Sequence, residues 1–275
     1  MKNFNVYGGV GKVPTGTYID HTHESPKYNS YPFIKNIKWV FDGLAQDNFY
    51  IDEELVTAFQ HGPSIKKYGW LLESKVVIPQ VYEHFLENID VYMNVYELVF
   101  TSDRSIYLMH DRIKFVPANT LWVKDLNIYN KTKLLSMICS NNQLTEGHRD
   151  RLQWVNKLTG VADIYGRGIN PISRKEDGLI DYMFSVAIEN SSYASYFTEK
   201  ILDCFATGTI PIYKGSPDIG NFFNKEGIII LDDNFDFSTL NNDLYYSKMD
   251  AIKDNFERVK EYIVLENYIY DRYLK

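Results

Sequence analysis

The chain has 275 residues, 45% of them apolar, enough for one large core or two modest ones, and its net charge of −7 with no basic stripe argues against nucleic acid as a partner. A phosphorylated small molecule is still allowed, because it needs only a few local cations. Aromatic residues reach 15%, with 22 tyrosines whose amphipathic rings suit walls that meet sugars.

Short apolar runs alternate with longer helical patterns, which predicts an α/β chain with parallel sheets. In the first half, strands are expected at residues 4–8, 37–41, 68–72, 97–101 and 113–117. The clearest helix spans 79–96, where Val81, Phe85, Ile89 and Tyr92 recur at helical spacing and Pro79 suits the first turn. The polar, irregular stretch "VKDLNIYNKTK" (123–133) marks the boundary between an N-terminal domain, 1–127, and a C-terminal domain, 128–275. Beyond it the alternation restarts with a strand at 134–140, a helix at 146–158 and strands at 162–166 and 183–188. A helix at 199–207, stopped by Gly208, leads to strands at 209–215 and 227–233. From Lys248 onward the pattern is largely helical, with Ile252, Phe256, Val259 and Ile263 on one face. The expected architecture is two α/β halves with a cleft between them, and ligands at the carboxyl ends of the strands.

Cys139 and Cys204 lack metal-ligand spacing and read as thiols of a reducing compartment. The N-terminal stretch lacks the apolar core of a signal peptide and no run reaches membrane-span length, so the expected location is cytoplasmic.

The stretch "ENSSYASYFTEK" (189–200) joins an apolar run to a helix. Thr198 suits the N-cap, and Glu199 in the first turn complements the helix dipole. Lys200 opposes that dipole, and an anion held beside it would reverse the sign. The same pair also fits a solvated helix start.

The longer segment "FSVAIENSSYASYFTEKILDCFATGTIPIYKGSP" resembles the donor-binding signature of the α-1,3-fucosyltransferases, glycosyltransferase family 10, with Phe184, Glu189, Asn190, Tyr196, Thr198, Glu199, Lys200, Pro211 and Gly215 in matching order. The resemblance implies a GT-B fold of two Rossmann-like domains, a GDP-sugar donor and inverting transfer without a required metal or other cofactor. It places Lys200 on the pyrophosphate, Glu199 on the ribose, and Glu189, Asn190, Tyr196 and Thr198 in the donor site. An upstream segment, "CSNNQLTEGHRDRLQWVNKLTG", is similar to the family's Arg-containing helix, and Arg151, Trp154 and Leu158 fit its spacing. Arg151 is therefore the second expected phosphate contact, with Arg149 as the competing choice.

Inverting transfer needs a base for the acceptor hydroxyl. The family's base is a Glu in an "ESP"-type motif after an aromatic-rich strand. Two stretches offer one: Glu73 in "GWLLESKVVIP", at a strand's carboxyl end, and Glu24 in "HTHESPKY". Glu73 is preferred, because a helix and a strand follow it as in the family pattern, although no Pro follows Ser74. "YGGVGKV" departs from a Walker A loop at Val6 and Val13, and His21 and His23 beside Asp20 read as a solvated loop rather than a metal site. The expected partners are GDP-fucose or a related GDP-sugar and an oligosaccharide or glycoconjugate acceptor. The rival reading is a GT-B scaffold that binds nucleotide or glycan without transfer.

Overall fold

The computed structural model describes residues 2–8, 35–40 and 45–275. Glu24, the two loop histidines and Lys12 lie outside the described residues. The chain forms two units, one built from Met1–Thr120 with Tyr262–Lys275, the other from Leu121–Glu261.

In the first unit, β1 (Lys2–Tyr7), β2 (Ile37–Val40), β3 (Asp47–Ile51), β4 (Lys66–Leu71), β5 (Leu98–Thr101) and β6 (Ile113–Phe115) form a sheet in the order β2-β1-β3-β4-β5-β6. Every pairing is parallel. Helices α1 (Pro79–Glu87), α2 (Ile89–Val95) and α3 (Arg104–Tyr107) connect its later strands. Successive residues of β3 serve opposite faces, as strand geometry requires. Phe49 sits among Phe4, Trp39, Tyr68 and Phe100 with ring centroids 5.1–5.9 Å apart. Tyr50 joins the cluster of Leu55, Phe85, Tyr92 and Tyr96.

Two expectations change here. Strand β3, "DNFYI", is not anticipated by its polar start, yet all five residues are buried. Asp47 is paired with Lys2 at 2.9 Å, and the Asn48 amide meets that of Asn5 at 2.7 Å and the Tyr50 hydroxyl at 3.1 Å, so both polar residues that open the strand find partners inside. The expected single helix over 79–96 breaks at Asn88, whose side chain donates to the His84 carbonyl at 2.9 Å and competes with the helical ladder.

The second unit holds β7 (Lys133–Ile138), α4 (Glu146–Leu158), β8 (Asp163–Tyr165), β9 (Tyr182–Ile188), α5 (Glu199–Ala206), β10 (Ile210–Lys214), β11 (Ile229–Ile230), α6 (Asn242–Ser247) and α7 (Met249–Val259). Its sheet runs β11-β10-β9-β7-β8, again all parallel. From β7 the chain crosses to β8 on one side, then returns through β9 to β10 and β11 on the other. The order thus reverses between β7 and β9, which are adjacent, and α4 and α5 start from their carboxyl ends. In parallel sheets this is where ligands bind. Leu135, Met137, Phe184, Val186, Ile210 and Ile212 from the strands pack with Trp154 and Leu158 of α4 and Ile252 of α7.

The helical end expected from Lys248 is interrupted. Helix α7 stops at Val259, and after a short turn α8 (Leu265–Ile269) belongs to the first unit, so the expected split at 127/128, with the terminal helix in the second domain, differs from the observed division. The reason is local bonding. Trp39 Nε1 donates to Glu266 Oε1 at 2.8 Å, Thr120 Oγ1 donates to the Tyr262 carbonyl at 2.9 Å, and Tyr273 Oη donates to the Phe115 carbonyl at 2.8 Å. Among the described residues, no helix is long and apolar enough to cross a membrane.

Candidate active site

Strand β9 ends at Ile188, and Glu189 follows it, buried. Its carboxylate closes the crossover loop on itself, accepting from the Thr198 N–H at 2.9 Å and the Thr198 hydroxyl at 2.6 Å. Midway, Ser195 adopts φ +69°, an uncommon backbone for a non-glycine residue. It is held there by donating its N–H to Ser216 Oγ at 2.9 Å and to Asp218 Oδ1 at 2.6 Å. Gly215 is required by space, since a Cβ there would lie 2.3 Å from the Tyr213 hydroxyl and 2.6 Å from Glu189 Cγ. The spacing of "EN", "TEK" and "GSPD" is therefore that of one closed loop pinned to the end of β10.

Thr198 caps α5, accepting the Lys200 N–H at 3.4 Å. The Lys200 ammonium meets Glu199 Oε1 at 3.0 Å, Thr198 Oγ1 at 3.1 Å and Glu189 Oε2 at 3.6 Å. The cation in the first turn is thus already flanked by carboxylates of its own loop and helix. Burial alone would raise the Glu199 pKa, but the Lys200 and Lys175 cations outweigh it and hold this carboxyl down at about 2. At Glu189, burial prevails over Lys200 and the pKa is raised.

Behind this group stands a second ion pair that the sequence gives no motif for. Lys175 reaches Asp203 Oδ2 at 2.6 Å and Glu199 Oε1 at 3.9 Å, and its ammonium lies 4.7 Å from the centre of the Trp122 ring. Burial pulls Lys175 down, but Asp203 and Glu199 more than compensate and keep it protonated. Asp203 also accepts the Trp122 and Val123 N–H groups at 2.9 and 3.1 Å, which fixes α5 against the entry of this unit.

On α4, His148, Arg151, Trp154 and Leu158 form the buried stripe. Trp154 and Leu158 enter the core, while His148 and Arg151 lie nearer the helix start, toward the carboxyl ends of the strands. The first turn packs tightly on the crossover loop: a Cβ on Gly147 would lie 2.3 Å from the Asn190 carbonyl oxygen. Arg151 is 6% exposed, and its Nε has no hydrogen-bond partner. Asn190 Oδ1 is likewise buried and unpartnered. Arg151 and Lys200 both act electrostatically on Cys139, at the end of β7, and on His148. Burial first, and these two cations next, push the His148 pKa down to about 4. Arg149, the competing choice, is instead tied to the Gln143 carbonyl at 3.3 Å in an exposed position.

Tyr196 is buried and packs on Tyr193 with ring centroids 4.6 Å apart. The six residues expected between 189 and 200 therefore share one loop and helix start, and Arg151 is brought beside them from a helix more than thirty residues earlier.

Residues 128–263 match the family model described as glycosyltransferase family 10 (fucosyltransferase) C-term. Over these residues, just under half of its length, the chain is similar to glycosyltransferase family 10. A Helicobacter pylori relative, alpha-(1,3)-fucosyltransferase FucT, is 31% identical over 110 residues, which are 38% of this chain and 23% of the relative. GDP-fucose protein O-fucosyltransferase 3 from Homo sapiens is 25% identical over 150 residues, 43% of this chain and 31% of the relative. The chain thus spans a third or less of the length of these curated relatives. A crystal structure of alpha1,3-fucosyltransferase with GDP aligns at TM-score 0.54 and 15% identity, covering 96% of this chain and 92% of that one. A further alpha1,3-fucosyltransferase crystal structure gives 0.53 at 16% identity, over 93% and 81%. The fold is accordingly GT-B, and all the expected donor-side residues fall within the family 10 match.

Glu73 lies outside that match, in the first unit. It lies two residues past the end of β4 and is half-buried. The Leu72 and Glu73 N–H groups both donate to Asp52 Oδ1, at 2.8 and 3.2 Å, and Asp52 is fully buried with φ +52°. Tyr82 Oη donates to the Glu73 carbonyl at 2.8 Å, and Glu73 Oε1 accepts the Ser74 N–H at 2.8 Å. The strand end carrying this carboxylate is firmly anchored on both sides.

Proposed function

We propose that the chain is an inverting glycosyltransferase that moves fucose from GDP-fucose to a hydroxyl of a glycan acceptor. The observation that carries this reading is Arg151, a buried guanidinium with an unpartnered Nε that acts together with Lys200 on Cys139 and His148, on a helix that starts at the topological reversal of a parallel sheet. A buried cation without a carboxylate is costly, and a bound anion removes that cost. The planar guanidinium suits phosphate oxygens, and Lys200 adds a point charge at the start of α5. Negative charge grows on the departing GDP during transfer, and these fixed cations stabilise it without a required metal ion.

The remaining roles follow the family resemblance. Glu199, ionised and held from behind by Lys175, accepts two ribose hydroxyls, while Asn190 and Tyr196 line the donor pocket and Glu189 with Thr198 keeps the loop closed. Glu73 takes the proton of the attacking hydroxyl. The relatives' printed names support the donor and the reaction class, namely alpha-(1,3)-fucosyltransferase, GDP-fucose protein O-fucosyltransferase and alpha1,3-fucosyltransferase with GDP.

The test is GDP release from a panel of GDP-sugars, with and without β-galactoside and N-acetylglucosamine acceptors. Acceptor-stimulated release from GDP-fucose alone supports the proposal. Stimulated release from another GDP-sugar would replace the donor, and GDP binding without release from any donor would favour a binding scaffold.

A further inference from the structure

Helix α4 starts with a capping box whose fourth member is unusual. The box is normally Ser or Thr at the N-cap and Glu or Gln three residues on, so that the second side chain reaches back to the N-cap N–H. Here Thr145 is the cap and His148 holds the third position. The Thr145 N–H donates to His148 Nδ1 at 3.2 Å, the Thr145 hydroxyl meets the same nitrogen at 2.6 Å, and the His148 N–H donates back to Thr145 Oγ1 at 3.2 Å.

This fixes the tautomer. A ring nitrogen that accepts a backbone N–H cannot carry a proton itself, so the neutral imidazole holds its hydrogen on Nε2. Arg151 one turn along α4, Lys200 on α5 and burial all oppose a second proton. A glutamate at this position would cap the helix equally well and would favour the dipole, but it would bring a negative charge next to Arg151 and Lys200. The imidazole satisfies the cap through Nδ1 while remaining neutral, and the cap does not use its Nε2–H.

We propose that His148 is a third, neutral hydrogen-bond donor to the pyrophosphate of the bound nucleotide, its Nε2–H held in place by the Thr145 cap. This rests on the reading of the Arg151–Lys200 region as a pyrophosphate site. Two cations and one neutral donor would then surround the leaving group, with the cap of α4 setting the third contact.

The experiment compares GDP and guanosine binding by calorimetry at neutral pH, with thermal unfolding as a check, for wild type, His148→Gln, His148→Glu, His148→Ala and Arg151→Ala. Gln keeps both the cap and a side-chain N–H, so its GDP affinity should stay within about threefold of wild type. Glu keeps the cap and should leave the melting temperature unchanged or higher, yet weaken GDP by about tenfold or more through charge repulsion while sparing guanosine. His148→Ala, which removes the imidazole N–H without adding charge, should weaken GDP severalfold relative to guanosine, whereas a purely structural His148 would cost that variant stability and leave the GDP-to-guanosine ratio unmoved. If Arg151→Ala weakens GDP but His148→Glu does not, His148 is not a ligand and the site reading stands. If His148→Gln loses as much as His148→Glu, or guanosine falls in parallel with GDP, the donor role is overturned. If neither Arg151→Ala nor His148→Glu changes GDP binding, or GDP does not bind at all, the pyrophosphate reading itself falls.

Discussion

Replacing Glu266 by Gln should stabilise the first unit above neutral pH and leave it nearly unchanged in mild acid. The Glu266 side chain is fully buried, one oxygen accepts from Trp39 Nε1 at 2.8 Å, and the other has no hydrogen-bond partner. Burial, only partly offset by the Trp39 bond, raises its pKa from 4.5 to about 7. Between those values the folded chain holds a proton that the unfolded chain has released, so this group's contribution is full below pH 4.5 and is lost as pH rises through about 7. At about 1.4 kcal/mol per pH unit, the interval corresponds to about 3 kcal/mol. His148 acts in the opposite sense over nearly the same range, because its folded pKa is depressed from 6.5 to about 4 and its stabilisation is lost as pH falls. The wild-type profile alone is therefore ambiguous, and the difference between wild type and Glu266→Gln is the informative quantity. Urea unfolding of both proteins at pH 4 and pH 8, followed by tryptophan fluorescence, should give matching stabilities at the lower pH. At the higher pH the variant should lead by about 3 kcal/mol. An equal difference at the two pH values would refute the reasoning, since a packing effect of the amide has no reason to titrate.

Three further outcomes are expected. Lys200→Ala should weaken GDP binding by about 1.5–3 kcal/mol if its ammonium makes a charge-assisted contact, and calorimetry showing wild-type affinity would remove it from the site. Glu73→Gln should retain donor binding while turnover falls by about 10²–10⁴-fold, the usual weight of a general base, whereas retained turnover would move the base elsewhere. Lys175→Met leaves the buried Asp203 without its cation, while Glu199 keeps Lys200, so chemical denaturation should show a loss of about 3–5 kcal/mol in the second unit, and a change under 1 kcal/mol would contradict the buried pair.

The second unit is more legible in sequence than the first. Helix α4 is expected over 146–158 and found over Glu146–Leu158, because its stripe of buried residues follows helical spacing and Thr145 supplies a recognisable cap. The crossover loop is legible because closure demands specific residues: a carboxylate at 189 to bind Thr198, and a glycine at 215 where no Cβ fits. Strand β3 hides because its first two residues are polar, and only neighbours distant in sequence reveal that they are satisfied inside the sheet. Lys175 and Asp203 hide for a related reason, since a buried ion pair between residues 28 positions apart leaves no periodic trace. His148 had a readable signal, a histidine where a capping box ordinarily places Glu or Gln. The broken terminal helix could not be read from its own apolar face, because the residues from Tyr262 onward belong to the first unit and not the second.

That return of Tyr262–Lys275 to the first unit bears on the order of events during synthesis. The second unit is one uninterrupted stretch, Leu121–Glu261, and has all its strands once that stretch has left the ribosome. The first unit is begun earlier but gains the acceptor for Trp39 Nε1 only with Glu266, and the donor to the Phe115 carbonyl only with Tyr273. The N-terminal sheet must therefore wait, with its aromatic core partly uncovered, while a complete parallel domain is made after it. The half that starts first would be the half that finishes last.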